Sequence, residues 1–77
     1  MAEPRLEVRL NAARTEAGLT QADLAERAGV SRKTVNTVEN GVFTPSVLVA
    51  LSLARALDTT VEALFTLAPE QQIWRGG

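Results

Sequence analysis

The stretch from residue 21 to residue 40, QADLAERAGVSRKTVNTVEN, decides the fold. Thr20 stands before it as an N-cap, with Asp23 three residues on. That pair makes a variant of the capping box, in which side chain and backbone satisfy each other's free N–H groups. Leu24, Ala25 and Ala28 then form an apolar stripe at helical spacing. Gly29 follows where a helix would end, because glycine tolerates the left-handed backbone that terminates helices. Val30 can anchor the turn in the core, and Ser31 can cap a second helix whose Val35 and Val38 point inward. Two short helices crossing at so tight a turn leave room for only a small side chain between them. Ala25, midway along the first, meets that need.

The outward face of the second helix carries the chemistry. Arg32, Lys33, Asn36 and Thr37 stand at i, i+1, i+4 and i+5 and share one side. All are hydrogen-bond donors or acceptors, and none is acidic. A short helix with such a face suits the major groove of DNA, where base edges offer acceptors and the thymine methyl. The bland alternative is a solvated polar face. The Ala25, Gly29 and Val35 spacing behind it favours the groove.

The longer segment GLTQADLAERAGVSRKTVNTVENGVFTPS resembles the phage-repressor and Cro type of helix-turn-helix found in Xre-like regulators. LTQ precedes the first of the two helices and LA lies inside it. AGVS makes the turn, and ENG with a following Pro closes the second helix. The likeness runs from about Val8 to Leu67. It implies an all-α, five-helix, lambda-repressor-like DNA-binding domain over residues 1–67, followed by a short tail over 68–77 that dimer contacts would order. It also implies roles. Arg14 would pair with Glu39 and fasten the first helix of the domain to the end of the recognition helix. Gln21 would place its side chain on a phosphate at one flank and Asn40 at the other. Ser31 and the backbone N–H groups at the starts of the second and third helices would add further contacts. Arg32 and Lys33 would read base edges, with guanine N7 and O6 as the natural targets, and Asn36 and Thr37 would read deeper bases.

Composition bounds the alternatives. A chain of 77 residues makes one domain with a small core, so association would stabilise it. Without Cys there is no disulfide framework and no thiolate metal site, and without His the commonest general base and metal ligand are missing. Nucleophilic triads are therefore excluded, no phosphate-binding glycine loop is present, and no cofactor or metal is expected. Asp23 with Glu26, or Glu16 with Glu39, are ordinary helix-surface acids rather than an acid–base pair. Enzyme activity is not expected. Net charge is −1, which is low for a DNA binder, but the charge is polarised. Arg5, Arg9, Arg14, Arg27, Arg32 and Lys33 fall in the first half, and only Arg55 and Arg75 follow. No apolar run is long enough to span a bilayer and no signal peptide opens the chain, so the cytoplasm is the default expectation.

In chain order, the first helix is expected from about Arg5 to Ala17, with Leu6, Val8, Leu10, Ala13 and Ala17 on its apolar side. Gly18 ends it. After Asn40 and Gly41, Thr44 would cap a fourth helix that starts at Pro45 and ends at Leu57. Its core stripe would be Val47, Ala50, Leu51, Ala54 and Leu57, with Leu48 and Val49 projecting to the sides as a second apolar surface. Thr60 would cap a fifth helix, Val61 to Phe65, that closes the core through Leu64 and Phe65. Ile73 and Trp74 are unusual in a polar tail.

These features predict sequence-specific binding of double-stranded DNA by a homodimeric transcriptional regulator, a repressor reading an inverted repeat. The dimer surface would come from Leu48, Leu64, Phe65, Ile73 and Trp74. The rival is an antitoxin, or another protein-binding module, that holds a toxin or effector protein on the same scaffold. A lost DNA binder should carry acids or apolar residues at positions 32, 33, 36 and 37, and this chain does not.

Overall fold

A computed structural model describes residues 5–68. Five helices follow one another: α1 (Leu10–Glu16), α2 (Gln21–Ala28), α3 (Arg32–Glu39), α4 (Val47–Ala56) and α5 (Val61–Leu64). A two-stranded antiparallel ribbon, β1 (Leu6–Val8) with β2 (Phe65–Leu67), ties the two ends of the described chain together.

The helix-turn-helix forms as its residues dictate. Thr20 accepts the Asp23 N–H, and the Asp23 carboxylate accepts the Thr20 N–H, each at 3.0 Å. Gly29 adopts φ 75°, a left-handed conformation that a side chain would strain even though no neighbour crowds the site. Ser31 then caps α3 by accepting the Thr34 N–H at 3.0 Å. Leu24, Ala25, Val35 and Val38 are buried in the core with Leu10, Ala50, Leu53, Ala54, Leu64 and Phe65.

The ends of the domain differ from the sequence expectation. Residues 5–9 do not extend the first helix. Leu6 pairs with Leu67, Glu7 with Thr66 and Val8 with Phe65. Phe65 accordingly leaves the fifth helix, with φ −136° and ψ 124°, and lies in β2. Backbone bonds extend the ribbon on both sides, from Arg9 N–H to the Leu64 carbonyl and from Ala68 N–H to the Arg5 carbonyl, both 2.8 Å. A strand wins here because Arg5–Leu6–Glu7–Val8–Arg9 alternates polar and apolar residues, the period of a half-buried strand, and β2 supplies a partner.

The fourth helix starts two residues later than expected. Ser46, not Thr44, is its N-cap and accepts the Val49 N–H at 3.1 Å, while Pro45 lies outside the helix. Its buried stripe is also rotated. Ala50, Leu53 and Ala54 face the core with Val49 and Leu57 beside them, whereas Val47 and Leu51 face outward. Because VLVALSLARA is apolar on both sides, periodicity could not choose between the two faces, and packing against α2 and α5 chose. Leu64 and Phe65 are 0 % and 8 % exposed, so they belong to the core and offer no dimer surface. Ile73 and Trp74, and all of the expected tail beyond Ala68, lie outside the described residues.

This rotation has a measurable consequence. Leu53→Ala empties a fully buried site and is expected to cost about 2–5 kcal/mol in chemical denaturation. Leu51→Ala, at a site 54 % exposed, should cost roughly 1 kcal/mol or less. Equal losses would restore the other stripe.

Candidate nucleic-acid interface

α3 has an inner and an outer side. Val35 and Val38 are fully buried, and they fix the helix against α2. Arg32 and Lys33, at its first turn, are exposed. Among the described residues neither makes a side-chain hydrogen bond or an ion pair. Asn36 is exposed one turn later, and Thr37 is half-buried. The Thr37 hydroxyl reaches the Lys33 carbonyl at 3.0 Å and the Thr34 carbonyl at 3.1 Å, so its proton is held inside the helix.

The one acid of α3, Glu39, is turned inward, with only 3 % of its side chain exposed. A buried carboxylate is tolerated only if it is well supplied with donors. Arg14 grips Glu39 in a two-armed contact. Its Nε lies on Oε2 and its Nη2 on Oε1, the latter at 3.2 Å. The third nitrogen, Nη1, donates to the Leu19 carbonyl at 2.8 Å, which locks the guanidinium to the loop before α2. Asn11 and Gln21 each donate to Oε1 at 3.0 Å. The sequence reading anticipated Arg14 and missed Asn11. Its signal was the i, i+3 spacing that puts Asn11 and Arg14 on one face of α1.

The remaining candidates form a chain from this hub. Asn36 Nδ2 donates to Gln21 Oε1 at 3.4 Å, and Asn40 Nδ2 donates to Asn36 Oδ1 at 3.3 Å. Gln21 and Asn40 were each expected to face a phosphate. Both side chains are partly engaged within the protein, and each amide nitrogen keeps a second N–H outside these bonds. Ser31 is occupied as the α3 cap and shares a 2.8 Å hydroxyl–hydroxyl contact with Thr34. Gln21, Asn36 and Asn40 are thus brought together as one connected set, with Arg32 and Lys33 standing clear of it.

The chain matches the HTH_3 helix-turn-helix family model over residues 10–64. It belongs to that family. This HTH_3 protein is 47 % identical over 55 residues to an HTH-type transcriptional regulator of Methanothermobacter thermautotrophicus, a match spanning 70 % of this chain and 80 % of the other. It is similar in structure to the restriction-modification controller protein C.AhdI of Aeromonas hydrophila, with TM-score 0.68 and 41 % identity over 70 % of this chain and 82 % of that one. It is also similar to a chain of the SinR–SinI protein complex, with TM-score 0.68 and 28 % identity over 71 % of this chain and 54 % of that one. The lambda-repressor-like fold and the DNA-binding, transcription-regulating character of the HTH_3 protein follow from this membership. Among the described residues no helix is long and apolar enough to cross a membrane.

Electrostatics give the hub a pH signature. Burial pushes the Glu39 carboxyl upward, but the hydrogen bonds from Arg14, Asn11 and Gln21 and the Arg14 charge outweigh it and hold the carboxyl below its ordinary value of 4.5. A carboxyl depressed in the folded state contributes stability at pH values above its unfolded value and loses it as pH falls through the folded one. Thermal melts are therefore expected to show wild type losing stability below about pH 4.5. Glu39→Gln should be less stable at neutral pH and flatter over that acid range. Parallel acid profiles for the two proteins would contradict the assignment.

Proposed function

We propose that the chain binds a specific double-stranded DNA sequence as a homodimeric transcriptional repressor that reads an inverted repeat through α3. The observation that carries this reading is the pair of exposed cations at the head of α3, unengaged among the described residues, on a helix whose only acid is turned inward. Arg32 suits the bidentate contact with guanine O6 and N7, and Lys33 a neighbouring acceptor. Asn36 follows one turn deeper. Thr37, its hydroxyl proton held within the helix, offers its methyl group to the thymine methyl. The second N–H groups of Gln21 and Asn40 and the start of α3 at Ser31 suit the phosphates on either flank. The proposed regulator would act in the cytoplasm.

An eight-residue recognition helix covers few base pairs, and a net charge of −1 gives weak non-specific attraction. Two subunits whose recognition helices stand about 34 Å apart would supply the rest. α4 offers the surface. Val47 and Leu48 are 76 % and 75 % exposed, and Leu51 lies one turn on from Val47, beside a groove bordered by Arg55, Val61 and Glu62. With Leu64 and Phe65 in the core, this face takes the place of the last helix as the proposed contact between copies. The same face would serve a toxin or other protein partner in the rival reading, for which the likeness to a chain of a two-protein complex is the relevant observation.

Two measurements check the proposal. Arg32→Ala should weaken binding to a selected duplex by roughly 1–3 kcal/mol and relax preference at one base position. Unchanged binding by both Arg32→Ala and Lys33→Ala would defeat the DNA assignment. In sedimentation, wild type should dimerise at micromolar concentration, and Leu48→Asp should be monomeric and lose its preference for an inverted repeat over a half-site. A wild type that stays monomeric and binds a half-site as tightly as the repeat would rule out the dimer.

A further inference from the structure

We infer that Glu39 is a positioning residue for base recognition: through Gln21 it fixes which way round the Asn36 carboxamide faces the DNA. The inference rests on the reading of α3 as the base-contacting helix.

A carboxamide has two chemically opposite ends, an oxygen that only accepts and an NH2 that only donates. An exposed Asn can turn either end to a ligand at little cost. Asn36 lacks that freedom. The Glu39 carboxylate has no proton to give, so the neighbour on its Oε1 must present nitrogen, as Gln21 Nε2 does at 3.0 Å. Gln21 therefore turns its oxygen to Asn36, and between two carboxamides an oxygen can accept only from the other's NH2. Asn36 must answer with Nδ2, at 3.4 Å. The Asn36 oxygen is then directed to Asn40, which answers with its own Nδ2 at 3.3 Å. One acceptor-only group buried at the end of α3 sets the polarity of three amides in series. Arg14 and Asn11 keep that group ionised and in place from the other side.

The consequence for recognition has a sign. With its oxygen drawn toward Asn40, Asn36 presents its remaining N–H as a donor. It should favour a base edge with an acceptor there, such as purine N7, guanine O6 or thymine O4, and reject the N4 amine of cytosine. If the amide were released it could turn its oxygen outward and accept from that amine.

The test is selection of bound duplexes from a random pool by the full chain, with Asn36→Ala identifying the base position that Asn36 reads. At that position wild type should disfavour cytosine by roughly tenfold, the scale of one good base contact. Gln21→Ala, which leaves the Arg14–Glu39 pair intact, should reduce that discrimination to about threefold or less, and Glu39→Gln should do the same. Preferences set by Arg32 should persist in both variants, which a general loss of folding would not allow. Retained discrimination against cytosine in Gln21→Ala and Glu39→Gln would overturn the inference. A wild type that selects no duplex would instead defeat the DNA reading. The polarity that Glu39 imposes on the amide series would then be decided on the free protein by NMR of the side-chain NH2 groups. Asn36 and Asn40 resonances should shift together in Gln21→Ala, and unmoved resonances would overturn it.

Discussion

A carboxylate that is almost wholly removed from water must be met by donors, and at Glu39 this constraint places three helices at once. Arg14 and Asn11 come from α1, Gln21 from the start of α2, and the carboxylate itself from the end of α3. Losing one partner of such a partly buried, multiply hydrogen-bonded pair should cost more than the roughly 0–1 kcal/mol that an exposed pair contributes. The second ion pair, Arg9 with Glu7, has side chains 57 % and 44 % exposed and belongs to the weak class. The apolar core packs the helices together, and the Glu39 cluster ties α1, α2 and α3 at one point. In a chain this short both are needed, because a small core leaves little stability in reserve.

The same constraint shapes the binding face. Turning its single acid inward leaves α3 with an outer surface of Arg, Lys, Asn and Thr, positive without being large. Arg32 and Lys33 remain unengaged among the described residues, so an incoming phosphate or base edge meets them without first displacing a protein partner. Asn36, Gln21 and Asn40 are pre-ordered by mutual hydrogen bonds, which would lower the entropy lost in the proposed contact with DNA. In the proposed complex, positioning and recognition would not be separable on this helix.

Much of this was legible in the residues. The capping pair Thr20 and Asp23, the left-handed Gly29, the cap Ser31 and the inward Val35 and Val38 each act locally, and local chemistry is readable from local sequence. The Arg14–Glu39 contact spans 25 positions and came from resemblance to a family rather than from spacing. What escaped was decided by tertiary competition. Leu6 and Leu10 share a helical stripe with Ala13 and Ala17, while Leu6, Val8 and Leu10 fit a strand's period of two, and the pairing of residues 6–8 with Phe65–Leu67 separates the two readings. α4 is apolar on two faces, so its core side depends on what packs against it. The Gln21–Asn36–Asn40 series depends on side-chain rotamers at the α2–α3 junction, for which no residue spacing is diagnostic.

The central claim is that the outer face of α3, oriented by the Glu39 cluster, is the surface that meets DNA. Backbone amide NMR during titration with a selected duplex tests it most directly. The largest shifts are expected at Ser31–Thr37 and at the start of α2 near Gln21, with the outer face of α4 at Leu48 and Leu51 little changed at constant oligomeric state. Shifts concentrated on α4 and α5, with Arg32, Lys33 and Asn36 unmoved, would contradict it.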